Sequence, residues 1–201
     1  YAVEPIFCVR KQSVEFNELL LRVQNEKNSI IPASTVFNTI AQNNMAANFA
    51  LYLVHDQLRA HKTMDNTASM NIHPLLLSNI NNREKLWALL AQYADKSDAN
   101  NIILEVLETA PLRITDGVID FMKDAIRLGY RWALDDYGDS GSHHRPRHIK
   151  ELPLAYVKLG DQTSLELASQ KEARAPTKET LGICHHLGIQ VVAENISTAK
   201  Q

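Results

Sequence analysis

Cysteine is scarce: Cys8 and Cys184 are the only two in 201 residues. They lie far apart and form no CxxC, so neither a disulfide scaffold nor a thiolate zinc site is expected. Aromatic residues make up only 6%, too few for a platform on which single-stranded bases stack. No apolar run reaches the ~18 residues of a membrane span, and no signal-peptide layout opens the chain. Neither sign of charge is in excess: 21 Lys and Arg stand against 23 Asp and Glu, a net of −2. That balance excludes a strongly basic binder of nucleic-acid polymers and an acidic tail. What remains is ordinary for a soluble globular chain, with 45% hydrophobic and 22% charged residues. A chain of this length buries roughly 70% of its unfolded surface and needs no staples. A single domain over residues 1–201 is expected, and the start at Tyr1 rather than Met reads as an excision from a longer multidomain protein.

Apolar runs of strand length alternate with amphipathic stretches of helix length. Strands are expected at Ala2–Val9, Val14–Val23 (with helical ambiguity), Ala68–Ile72, Asn101–Leu107, Tyr130–Leu134, Ala155–Leu159 and Ile189–Ala193. One or two helices should fill Ala33 to about His61. Others are expected at Arg83–Tyr93, at Thr115–Leu128 with Thr115 as cap and Gly129 as stop, and at Thr177–Leu187 closed by Gly188. Connections too long for hairpins imply a parallel sheet with covering helices, either a closed (β/α) barrel or a doubly wound open sheet. No Gly-rich phosphate loop follows any strand, which disfavours a dinucleotide-type open sheet.

Polar residues repeatedly close the apolar strands. Asn71, Glu105, Asp135-Asp136, Lys158 and Glu194 fall at or near separate strand ends, and Glu18 and Arg22 sit on or after the second element. In a parallel barrel the carboxyl ends of the strands share the face that carries the active site. Five acids against Arg22 and Lys158 leave a net of −3 there, a charge that bound divalent cations would relieve. The set offers oxygen only, so Mg²⁺, Mn²⁺ or Ca²⁺ suits it better than zinc. Two such ions can serve an in-line phosphoryl displacement.

At these residues the sequence resembles a family. Glu4-Pro5-Ile6, Asn17-Glu18-Leu19-Leu20-Leu21-Arg22, Glu105-Val106-Leu107-Glu108, Asp135-Asp136-Tyr137-Gly138 and Ala193-Glu194 are similar in order and spacing to the QPI, EALLR, ExTE, DDFG and AEGVE motifs of the bacterial EAL domain. The resemblance implies a modified (β/α)₈ TIM-like barrel, about 250 residues when complete; this chain stops at Gln201, before the last strand. It implies a domain that binds cyclic di-GMP and, with Mg²⁺ or Mn²⁺ in a two-metal site, hydrolyses it to linear pGpG. Ca²⁺ inhibits such enzymes. The metal ligands it implies are Glu18, Asn71, Glu105, Asp135 and Asp136. Glu194 is implied as general base, with Lys158 near the attacking water and the pair Asp135-Asp136 contacting both ions; Asp136 is counted with the catalytic residues. Arg22, with Glu4 and Pro5, is implied on the substrate. A bacterial cytoplasmic location, a membrane-anchored parent, flanking sensory or GGDEF domains and a homodimer also follow from the resemblance.

The departures support a second reading, a degenerate domain that serves as a cyclic di-GMP receptor or protein-interaction module. Glu4 replaces Gln, His73 replaces the Ser of NxS, Gly160 replaces the Asp of KID and Ser197 replaces the second Glu of AEGVE. The loop after the acidic pair reads Asp139-Ser140-Gly141-Ser142-His143 rather than TGYSS. The basic stretch His143, His144, Arg145, Arg147, His148, Lys150 reads as a solvated loop. Trp87, Trp132, Cys8 and Cys184 read as core, and His185-His186 as favourable charges at a helix end.

Overall fold

The computed structural model describes residues 1–42, 45–94, 99–107, 113–138, 146–168 and 175–196. The chain divides into two compact units, Tyr1–Ile103 and Leu104–Gln201.

In the first unit, β1 (Ala2–Cys8) and β2 (Ser13–Leu20) form an antiparallel hairpin. This corrects the expectation of a wholly parallel sheet. The turn between them is short because Gln12 adopts φ 54° and its N–H closes back on the Cys8 carbonyl at 2.9 Å. Two further short strands, β3 (Val23–Gln24) and β4 (Ile30–Ile31), pair as a small ribbon that the apolar pattern did not reveal. The expected long helical stretch is two helices, α1 (Ala33–Gln42) and α2 (Ala46–His61). On α2, Ala50, Val54, Gln57, Leu58 and His61 are buried at helical spacing. β5 (Ala68–Ile72) runs parallel to β2, and a 3₁₀ turn over Pro74–Leu76 follows it. α3 (Ile80–Tyr93) begins three residues before the expected Arg83, because Asn79 Oδ1 accepts from the Asn82 N–H at 3.0 Å and caps it there. Trp87 lies half-buried on α3 and Cys8 half-buried on β1, so neither is a core residue.

The boundary between units falls within β6 (Ile102–Leu107). α4 (Asp116–Arg127) follows. Thr115 caps it as expected, its Oγ1 accepting from Val118 N–H, and Gly129 stops it at φ 108°. α4 buries Val118, Phe121, Met122 and Ala125, one face of the helix, each larger side chain stabilising by about 1.5–3 kcal/mol. Phe121 meets the ring of Trp132 edge-on at 6.3 Å, and Trp132 Nε1–H donates to the Met122 carbonyl at 3.0 Å. Trp132 lies on β7 (Arg131–Tyr137), which continues through the acidic pair rather than ending before it.

The remaining elements are α5 (Pro146–Glu151), β8 (Tyr156–Leu159), α6 (Asp161–Ala168), α7 (Ala175–Leu187) and β9 (Gln190–Ala193). α5 holds the second half of the stretch read as a basic loop, including His148 and Lys150. His143, His144 and Arg145 lie outside the described residues, as do Glu108, Asp139–His143 and Ser197. β6, β7, β8 and β9 neighbour one another in that order, and β7–β8 and β8–β9 pair in parallel. Leu134, Tyr137, Ile149, Val157, Leu159, Ile183, Cys184 and Ile189 pack as one buried cluster beneath α5 and α7. Strands alternating with covering helices make this an α/β fold. Among the described residues no helix is long and apolar enough to cross a membrane.

Candidate active site

β8 decides the geometry of the second unit. Its residues alternate sides, so Val157 and Leu159 enter the apolar cluster while Lys158 turns the other way. Lys158 is fully buried, and a buried ammonium is tolerable only when it is paired. Its Nζ lies 2.7 Å from Asp135 Oδ1, 2.8 Å from Glu194 Oε1 and 3.3 Å from Glu105 Oε2. The Glu105 contact is a hydrogen bond donated by Lys158. The Asp135 contact lacks hydrogen-bond alignment and is a Coulombic pair. Side-chain exposure rises from 0% at Glu105 to 7% at Asp135 and 19% at Glu194, so the cluster is most open at Glu194.

Two neighbouring acids on one regular strand would point to opposite faces. β7 avoids this with a bulge. Leu134 pairs with Val157 and Tyr137 with Leu159, so Asp135 and Asp136 together oppose the single residue Lys158. The surplus residue is Asp136, held at φ 58°, a left-handed conformation that Asp tolerates better than most side chains. As a result Asp135, Asp136 and Glu194 each present a carboxylate oxygen within 4.8 Å of the others. On β9, Val192 pairs with Lys158, and Glu194 lies two residues further along the same side.

Glu105, Asp135, Asp136 and Glu194 carry four negative charges against the one positive charge of Lys158, a net of −3. The donors of Asp135, Asp136 and Glu194 are all carboxylate oxygens, so this set fits a hard divalent cation.

The other expected site residues lie in the first unit. Glu18 pairs in register with Ser69, and Asn71 lies two residues beyond Ser69, so all three share one face of the β2–β5 pair. Asn71 Oδ1 is buried and accepts no hydrogen bond from the described residues. Such an orphaned carbonyl oxygen costs about 1–3 kcal/mol and is the kind of donor a cation would satisfy. Glu4 is exposed and stands directly opposite Glu18 across the hairpin, while Pro5 stands opposite Asn17. Arg22 is exposed, its Nη1 donating to the Leu21 carbonyl at 3.0 Å. His73 Nδ1 accepts from Leu75 N–H at 3.2 Å and its ring stacks on Phe37 at 5.3 Å. Burial pushes the His73 imidazole below its ordinary pKa.

Three buried hydroxyls near the acids escaped the reading of motifs. Ser164 Oγ donates to the Leu159 carbonyl at 2.9 Å and accepts from the Glu194 N–H at 3.0 Å. Thr180 Oγ1 donates to the Tyr137 hydroxyl at 2.9 Å. Thr163 Oγ1 would meet a Cβ at Gly138 at 2.9 Å. Nothing in the linear sequence marks them, because their significance is a spacing between strands.

Comparison with known proteins bears on the whole chain. The family model described as an EAL domain matches residues 1–201. Over 101 residues the chain is 31% identical to the cyclic di-GMP phosphodiesterase PA2567 of Pseudomonas aeruginosa, covering 50% of this chain and 17% of that protein. Among solved structures it is similar to the PaMucR phosphodiesterase in complex with c-di-GMP, with a TM-score of 0.78 and 18% identity over 98% of this chain and 84% of that one. It is also similar to Klebsiella pneumoniae BlrP1 in a manganese and cyclic di-GMP complex, with a TM-score of 0.75 and 19% identity over 98% of this chain and 49% of that one. The chain spans under a fifth of the first two curated relatives it matches, 17% and 11% of their lengths. The likeness in structure carries the modified (β/α) barrel fold that the motifs implied.

Proposed function

The chain belongs to the EAL domain family, and on that premise we propose that it is a metal-dependent phosphodiesterase that opens cyclic di-GMP to linear pGpG. The observation that carries this reading is the surplus of carboxylate oxygen around one buried lysine: Glu105, Asp135 and Glu194 about Lys158, with Asp136 added by the bulge. Glu18, Asn71, Glu105, Asp135 and Asp136 would hold Mg²⁺ or Mn²⁺, with Ca²⁺ as an inhibitor. A bound pair of such ions supplies a Lewis acid for a phosphoryl oxygen and makes water more acidic. Glu194, the most open of the three acids paired with Lys158, takes the proton from the attacking water on its carboxylate. Lys158 Nζ, paired with Glu194 Oε1 at 2.8 Å, holds that carboxylate in place. Arg22 meets the substrate phosphate, with Glu4 and Pro5 also on the substrate. One EAL-type domain over 1–201, a homodimer, and GGDEF or sensory domains in a longer cytoplasmic or membrane-anchored bacterial protein complete the proposal.

A second reading has its own support. Lys158 already supplies positive charge to three carboxylates, and Gly160 offers no side chain where the family has an acid. A domain in this state can bind the dinucleotide and signal without cleaving it. Chromatography of cyclic di-GMP incubated with the purified chain and Mn²⁺ separates the two. Release of pGpG, stopped by Ca²⁺ and by Glu194→Gln, supports the enzyme. No product above a metal-free control, together with tight binding by calorimetry, establishes the receptor instead.

A further inference from the structure

The β8–β9 ladder ends at the Leu159–Ala193 pair. One residue beyond it, the Leu159 carbonyl and the Glu194 N–H are joined through a hydroxyl. Glu194 N–H donates to Ser164 Oγ at 3.0 Å, and Ser164 Oγ–H donates to the Leu159 carbonyl at 2.9 Å. The hydroxyl uses its one donor and one of its acceptor sites to splice the two strand ends. Ser164 is almost completely buried, at 1% exposure, on α6. The splice sits at the root of Glu194, whose Oε1 lies 2.8 Å from Lys158 Nζ, and Lys158 precedes Leu159 on the spliced strand. Directly after Glu194 the chain turns at Asn195, with φ 54°. The Glu194 backbone is thus joined on one side to β9 and tied by the Ser164 hydroxyl to the end of β8.

We propose that Ser164 is a positioning residue for Glu194: its hydroxyl fixes the spread between the carboxyl ends of β8 and β9, and so sets the Glu194 carboxylate against Lys158. The inference rests on the assignment of Glu194 as the base. Removal of the hydroxyl takes a partner from the Leu159 carbonyl and from the part-buried Glu194 N–H and lets the strand ends close or drift. A shift of about 1 Å at a reacting group costs on the order of 100-fold in rate.

The test is a double-mutant cycle with Ser164→Ala and Glu194→Gln, with Ser164→Cys as a near-isosteric second variant. In the wild-type background Ser164→Ala should lower kcat for cyclic di-GMP about 10- to 100-fold with KM within about twofold. In the Glu194→Gln background it should change kcat by less than twofold. Ser164→Cys should fall between. Equal losses in both backgrounds would show a merely structural role and overturn the proposal. A second readout is free of turnover. By amide hydrogen exchange, Glu194 N–H should be protected in the wild type and exchange at least 10-fold faster in Ser164→Ala, with the β8 amides unchanged. If the wild type makes no pGpG, the enzyme reading fails, and the exchange data still decide whether Ser164 holds Glu194. Fast exchange at Glu194 in the wild type would end the proposal.

Discussion

Lys158→Met makes the most direct test of the buried charge cluster. The substitution keeps the length and apolar stem of the side chain and deletes one positive charge within 2.7–3.3 Å of three carboxylates. At an effective dielectric of ~20, each of those contacts contributes about 5–6 kcal/mol before desolvation and carboxylate–carboxylate repulsion are subtracted. The net effect of deleting one partner of a buried pair is about 3–5 kcal/mol, since the remaining charges stay buried and lose their counterion. For a chain of this size, that is a fall in Tm of roughly 10 °C in EDTA. Mn²⁺ should then do something unusual: restore the variant more than it stabilises the wild type, because the added cation supplies the charge that the substitution removed. At 100-fold excess over Kd the recovery is about 2.7 kcal/mol. Thermal or urea unfolding of both proteins, in EDTA and in Mn²⁺, measures all four corners. A variant as stable as wild type in EDTA would refute the reasoning. So would a destabilised variant that gains no more from Mn²⁺ than the wild type does.

Three further outcomes are expected. Gly138→Ala should cost about 1–3 kcal/mol, because Gly138 has φ +91° and a new Cβ would lie 2.9 Å from Thr163 Oγ1; Thr163→Ala should recover part of that loss in urea titrations, the backbone strain remaining. Burial raises the Cys184 thiol to about 11 from 9.0. The unfolded chain therefore ionises first, so stability contributed by Cys184 is whole below pH 9 and falls by on the order of 2 kcal/mol as pH rises to 11; Cys184→Ala should flatten that limb of a stability–pH curve, and an unchanged limb would count against the assignment. Glu4→Gln removes a carboxylate directly opposite Glu18, so cyclic di-GMP should bind about two- to fivefold tighter at low salt, with the gain shrinking at high salt. Weaker binding by calorimetry would place Glu4 in a favourable contact with the ligand.

Much of the fold was legible because its strands are short apolar runs and its helices carry their own stop signals. Thr115 and Gly129 bracket α4 as their chemistry dictates. The acids at the strand ends were legible for the same reason: a charge that closes an apolar run stands out against it. The hairpin of β1 and β2 was not, because a turn made by Val9, Arg10, Lys11 and Gln12 contains none of the residues that ordinarily announce one. α5 and α6 were missed because each is brief and lacks a clear apolar stripe. Trp87 misled because its large apolar side chain recurs at helical spacing yet lies only half-buried. Ser164 was invisible on different grounds. A serine inside a helix has no linear signature, and what it does depends on two strands that are neighbours only in space.

The extra residue in β7 has an arithmetic consequence. Leu134 and Tyr137 both enter the apolar cluster although they are three apart, an odd interval that an unbroken strand forbids. Excision of Asp136 would make that interval two, and the pleat would run on undisturbed with one acid on the Lys158 side. A valine in its place would keep the odd count and force a β-branched side chain into a backbone hostile to it. For this strand, then, losing a residue is gentler on the scaffold than exchanging one. A lineage could discard the second carboxylate by a three-nucleotide deletion and keep its barrel.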